Sequence, residues 1–154
     1  MRIAPPVRVT RSYVQKLAAP PERVFPLLCP VREAEWAAGW EPELVVSASG
    51  VAEPDCLFTT RDEAGRESVW VVSRHQPERG RLELLKVTPG LTVAKIEIAL
   101  APDGAGGTEA TVAYTHTALS AAGRDFVAGF TPEAWGAFMR EWEAELNRYL
   151  EASA

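Results

Sequence analysis

Cysteine is scarce: Cys29 and Cys56 are the only two in 154 residues. Together with His75 and His116 they are scattered along the chain, with no close ligand pair. No metal is therefore expected, and no other cofactor is implied. "MRIAPPVRVT" lacks an apolar run of signal length, so two thiols suggest a reducing compartment, the cytoplasm. Each cysteine reads as a small buried thiol rather than a nucleophile. A basic excess is also missing. Sixteen lysines and arginines face 21 aspartates and glutamates, for a net charge of -5. Nucleic acid and anionic membrane surfaces are therefore not expected partners. Only Lys16, Lys86 and Lys95 are lysines, which reads as composition rather than chemistry. No window approaches the roughly 20 apolar residues of a membrane span. Repeats and linkers are absent too, so residues 1–154 read as one domain with enough length for a real core.

What is present is mostly alternation. "VRVTRSYVQKL" (7–17) puts Val7, Val9, Arg11 and Tyr13 on one face. "ELVVSAS" (43–49), "DCLFTT" (55–60), "RESVWVVSRH" (66–75), "RLELLKV" (81–87), "LTVAKIEIAL" (91–100) and "TEATVAYTHTAL" (108–119) follow, with short turns between them. Such connections predict antiparallel neighbours in a meander. "PDGAGGT" opens no helix, so it reads as a hairpin and not as a phosphate loop.

Helical signals sit at two places. In "APPERVFPLL", Pro21 and Glu22 suit a first turn, and Val24, Phe25 and Leu28 form its apolar stripe. Pro26 and Pro30 keep that helix short and start a second near Val31. Near the C-terminus, Trp135, Phe138, Met139, Trp142, Leu146, Tyr149 and Leu150 recur at three- and four-residue steps. They predict a long amphipathic helix, with Thr131 as N-cap and Pro132 at its first position. Ser120 is placed to cap a short helix over 121–129. The order predicts an α+β fold: a curved antiparallel sheet of about seven strands wrapped around the C-terminal helix, with two short helices after the first strand. Where the sheet curves more than the helix can fill, a cavity is expected, closed at one end by the short helices.

The segments "APPERVFPLL", "GGTEATVAYTHTALS" and the long C-terminal helix resemble the START-like (SRPBCC) superfamily. This is the helix-grip group of birch pollen allergen, START lipid-transfer domains, and polyketide cyclases and dehydrases. "CPVREAEWAAGW" (29–40) resembles a bacterial subgroup of it. The resemblance spans the whole chain and implies a deep apolar pocket, but no shared catalytic set, because function in such folds lives in grafted sites.

The expected function is therefore binding of a hydrophobic or aromatic, lipid- or polyketide-like small molecule between sheet and helix. Two alternatives stay open. One is a cyclase- or dehydrase-type enzyme in the same cavity. The other is a co-chaperone-like interaction module with the cavity collapsed. The expected walls are Trp36, Trp40, Phe58, Trp70, Tyr114, Phe138 and Trp142, and Arg32, Glu33 and His116 are expected to orient a polar group. If residues 31–38 form an α-helix, Arg32, Trp36 and Trp40 share a row, with Glu33 adjoining and Glu35 turned to solvent. The plainer alternative has the tryptophans anchor the short helices while Arg32 and Glu33 pair at the surface. In the sheet, Trp70, Val72 and Arg74 are expected to share the inner face, opposite His75. Tyr114 and His116 are turned inward, as the candidate acid–base pair alongside Glu33. Arg11 is a further possible polar handle.

Overall fold

A computed structural model describes all residues 1–154. Seven strands form one fully antiparallel sheet: β1 (Arg8–Leu17), β2 (Leu44–Val46), β3 (Leu57–Arg61), β4 (Glu67–Gln76), β5 (Arg81–Thr88), β6 (Thr92–Pro102) and β7 (Thr108–Ala118). Their order across the sheet is β1-β7-β6-β5-β4-β3-β2, so β2 to β7 make the expected meander and β1 closes on β7. Helix α1 (Pro21–Val24) passes directly into a 3-10 turn, Phe25–Leu27, and a second 3-10 turn covers Arg32–Glu35. Helices α2 (Ala121–Gly129) and α3 (Pro132–Ala152) complete the chain. Neither is long and apolar enough to cross a membrane.

Local chemistry sets the helix starts. Ser120 Oγ accepts from Gly123 N at the head of α2, and Thr131 Oγ1 accepts from Ala134 N at the head of α3. Thr131→Ala is expected to cost about 1 kcal/mol, readable as a lower urea midpoint; an unchanged midpoint would show that the cap is dispensable beside Pro132.

The core lies between the inner face of the sheet and α3. Val72, Ile96, Ile98 and Val112 meet Trp135, Met139, Leu146 and Leu150 there, all under one-tenth exposed. Helix α3 is not centred on the sheet but is tied to the free edge of β1. Trp135 Nε1 donates to Ser12 O (3.0 Å), and Asn147 Oδ1 accepts from Ala18 N (2.8 Å) while its Nδ2 donates to Lys16 O (2.9 Å). Glu143 accepts from Lys16 N. Backbone groups of an edge strand that would otherwise be open to pairing are thereby satisfied. Fixing α3 over β1 leaves the inner face of β3 to β6 only partly covered, and a cavity forms there.

One strand departs from simple alternation. The β4–β5 register shifts between Val72 and Arg74, where Ser73 is the extra residue. Ser73 Oγ bonds Glu83 on the partner strand. A bulge of this kind reverses the phase of everything after it. Arg74 therefore sits opposite Glu83 and is exposed, whereas His75 sits opposite Leu82 and packs edge-on against Phe25 at 5.3 Å. The expectation that Arg74 joins the inner face and His75 the outer one is corrected accordingly.

Candidate functional site

A single row of residues crosses all seven strands on the inner face: Val9, His116, Ala94, Lys86, Trp70, Phe58 and Val45, each the direct cross-strand partner of the next. Because alternate residues share a face, register alone assembles this floor. The row beside it carries Tyr114, Ile96 and Leu84. On the other side runs a hydroxyl row, Thr92, Thr88, Ser68 and Thr60. Its members are tied to one another and to a wall: Ser68 Oγ lies 2.7 Å from Thr88 Oγ1, and Trp70 Nε1 donates to Thr60 Oγ1 at 2.9 Å. Above this floor lies a cavity of about 560 Å³, open at one side.

The aromatic walls form two stacks. Phe58 and Trp70 lie face to face at 5.1 Å, with Trp40 edge-on to both. Trp36, from the second 3-10 turn, stacks on Trp142 of α3 at 6.1 Å and so bridges the two banks of the mouth. Phe138 stands next to Trp142 and also lines the cavity. The two tryptophans of "CPVREAEWAAGW" serve both of the roles considered for them. Trp36 Nε1 donates to Leu27 O and Trp40 Nε1 to Pro30 O, so the indoles anchor the segment to itself. Their rings nevertheless line the cavity.

Arg32 does not reach it. Residues 32–35 form a 3-10 turn rather than an α-helix, so positions three apart eclipse. Arg32 consequently meets Glu35 in a two-pronged ion pair, and Tyr149 Oη donates to the same carboxylate. Arg32 is thus removed from the expected polar set, and its partner Glu35 is exposed, as expected. Arg11 is also committed elsewhere, donating to Phe130 O beyond the end of α2.

Glu33 falls on the other side of that turn and lines the cavity without any ion-pair partner. Cavity space touches it, so by accessible surface it is half-buried, yet protein surrounds it. Loss of solvation pushes its carboxyl up to about 8. Burial raises the Tyr114 hydroxyl too, with the Glu33 charge adding to it. His116 is 6 % exposed and caged by Phe130 and Phe126 at 4.5 and 5.0 Å. Its Nδ1 is sealed without a hydrogen-bond partner, as is Nε1 of Trp142. Burial, and then the positive charge of Lys86, lower the imidazole to about 4, so His116 is neutral at pH 7.

Lys86 is the residue that sequence reasoning passes over. Its Nζ rests 4.7 Å above the Trp70 ring, it makes no salt bridge, and burial lowers its ammonium. The signal was present in "RLELLKV", where Lys86 shares phase with Leu82 and Leu84. The neighbouring cations at the rim are neutralised: Arg61 pairs with Glu43 and Glu67, and Arg66 with Asp62. The cysteines are buried free thiols, as expected, and no cluster of potential ligands suits a metal ion. The collapsed-cavity alternative called for a packed interior, whereas the interior is open.

No protein-family model matches the sequence, and no curated protein resembles it in sequence. Among solved structures, norcoclaurine synthase from Thalictrum flavum, a point mutant crystallised with a transition-state analogue, superposes with a TM-score of 0.71 at 11% identity over 99% of this chain and 100% of that one. A Rhodobacter sphaeroides protein superposes with a TM-score of 0.63 at 20% identity, covering 93% of each chain. Ara h 8.0201 superposes with a TM-score of 0.64 at 11% identity, covering 91% of this chain and 98% of that one. At such identities the likeness is one of fold. A seven-stranded antiparallel sheet gripping a long C-terminal helix over an apolar cavity is the Bet v 1/START-like helix-grip fold, and that is the fold of this chain.

Proposed function

We propose that this chain binds a hydrophobic or aromatic small molecule in the cavity between the sheet and α3. The observation that carries the reading is the cavity itself: about 560 Å³, walled by Trp36, Trp40, Phe58, Trp70, Phe138 and Trp142, with Glu33, Lys86, His116 and the hydroxyl row as polar groups inside it. Volume and lining both fall in the range of small-molecule sites. An indole-sized body that buries about 200 Å² of apolar surface gains about 5 kcal/mol before ordering costs. A structural neighbour gives support of the same kind: norcoclaurine synthase from Thalictrum flavum has been crystallised with dopamine and hydroxybenzaldehyde, both small aromatics.

The test is titration with 2-naphthylacetamide, a neutral aromatic probe, followed by calorimetry. Trp70→Ala removes one face of the Phe58 stack and Trp36→Ala removes the bridge to Trp142. Each is expected to weaken binding about tenfold or more. Unchanged affinity in both variants would show that the probe does not occupy this cavity.

One observation favours a second reading, catalysis of the cyclase or dehydrase type. Glu33, held protonated at pH 7, and Tyr114 face one cavity and couple electrostatically. A carboxylic acid kept neutral by burial is a competent proton donor. Loss of turnover with retained binding in Glu33→Gln supports catalysis; unchanged turnover in Glu33→Gln and His116→Ala removes it.

A further inference from the structure

The polar groups of the cavity floor point to the chemistry of the ligand. Lys86 and His116 stand on the same cross-strand row with only Ala94 between them. Ala94 is 1% exposed and ends at a methyl group, so nothing rises from the floor to separate its two neighbours. Each of the two is left short of a partner. The Lys86 ammonium has a cation–π contact with Trp70 but no carboxylate. His116 Nδ1 has no hydrogen-bond partner, but it is sealed behind Phe126 and Phe130 and closed to the cavity. A desolvated ammonium without a counter-ion and a buried imidazole without a partner both cost stability. The ammonium, which lines the cavity beside Trp70, is the one of the two that a ligand there can satisfy, and an anionic group accepting from it does so.

The remaining charges agree. Glu33 is neutral at pH 7 and does not repel an anion. Arg61, Arg66 and Asp62 cancel within their own ion pairs at the rim. Glu41 and Glu141 at the mouth are exposed, so solvent and salt screen them from the floor. Lys86 is then the one cation lining the cavity that has no carboxylate partner. The hydroxyls of Thr88 and Thr92 lie one row away, available to the same group or to its water.

We propose that the ligand is an apolar monocarboxylate, its aromatic or aliphatic body between the tryptophan walls and its carboxylate held on the sheet floor by Lys86 Nζ. This rests on the cavity being a binding site, and it adds the polar half of the ligand.

The experiment compares three probes of one shape by calorimetry at pH 7: 2-naphthylacetate, 2-naphthylacetamide and 2-(2-naphthyl)ethylamine. The acetate is expected to bind about tenfold or more tighter than the amide, as a charge-assisted hydrogen bond allows. In Lys86→Met that preference falls to about twofold while the amide binds as before, which also shows the variant's cavity to be intact. Three outcomes overturn the proposal while leaving cavity binding standing: equal binding of acetate and amide, tighter binding of the amine, or a preference that survives Lys86→Met. Failure of all three probes to bind overturns both.

Discussion

Gly123→Ala is expected to lower the melting temperature by roughly 10 °C, the equivalent of about 3 kcal/mol for a chain of this size. Gly123 is buried in the first turn of α2, where that helix rests on the β5–β6 turn. A β-carbon there would stand 1.9 Å from the carbonyl oxygen of Leu91 and 3.2 Å from Cα of Ala118. Both are backbone, so no side chain can turn aside. The Leu91 carbonyl is also held in place, because it accepts from Leu119 N at 2.9 Å. Helix α2 must move by more than an ångström, and Phe126 and the cage around His116 go with it. Gly129, at the other end of α2, is the control: nothing lies within 4 Å of its β-carbon position. Gly129→Ala is expected to be neutral or slightly stabilising, because alanine favours a helix over glycine by up to about 1 kcal/mol. Calorimetric melting of the two variants decides the matter. Equal melting temperatures would show that α2 is not seated as described.

Glu33→Gln is expected to change how stability depends on pH, by about 2 to 4 kcal/mol between pH 5 and pH 9. The carboxyl titrates near 4.5 in the unfolded chain and at about 8 in the folded one. Between those values the folded protein holds a proton that the unfolded chain has released, so stability falls as pH rises. The full contribution is present below pH 4.5 and is gone once pH has passed 8. Burial alone implies an upper limit of ~5 kcal/mol, and water in the cavity reduces it. Glutamine keeps the shape and removes the charge. The variant is therefore more stable than the wild type at pH 9 and close to it at pH 5. His116, neutral above about pH 4, contributes equally to both proteins and drops out of the comparison. Urea midpoints at pH 5, 7 and 9 measure the effect. Parallel curves would place the Glu33 carboxyl in bulk water.

The strands and both C-terminal helices, the short α2 and the long α3, were legible because their signals are local. Alternation, glycine turns such as "PDGAGG", and the caps Ser120 and Thr131 each depend on neighbours within a few residues. The inward turn of Tyr114 and His116 followed from the same alternation. Three features depended on what a single segment cannot show. Ser73 carries no mark of a bulge, so the reversal that exposes Arg74 and turns His75 inward could not be read from its strand. Residues 32–35 fit an α-helix as well as a 3-10 turn, and only the tighter winding sends Arg32 to Glu35 and leaves Glu33 alone in the cavity. Lys86 shares phase with two leucines, yet its meaning comes from standing two strands from His116. That distance is set by register across β5, β6 and β7, although Lys86 and His116 are 30 residues apart in the chain.

The stack of Trp36 on Trp142 has a spectroscopic consequence. Two indoles 6.1 Å apart and inclined by only 19° have transition dipoles close enough to couple, and coupled chromophores in a fixed chiral arrangement give a paired signal in circular dichroism. One partner belongs to the turn behind the first strand and the other to α3, so the coupling lasts only while the two banks of the mouth stay together. The protein thus carries an optical gauge of its own aperture, readable without a label and erased by replacing either ring with phenylalanine.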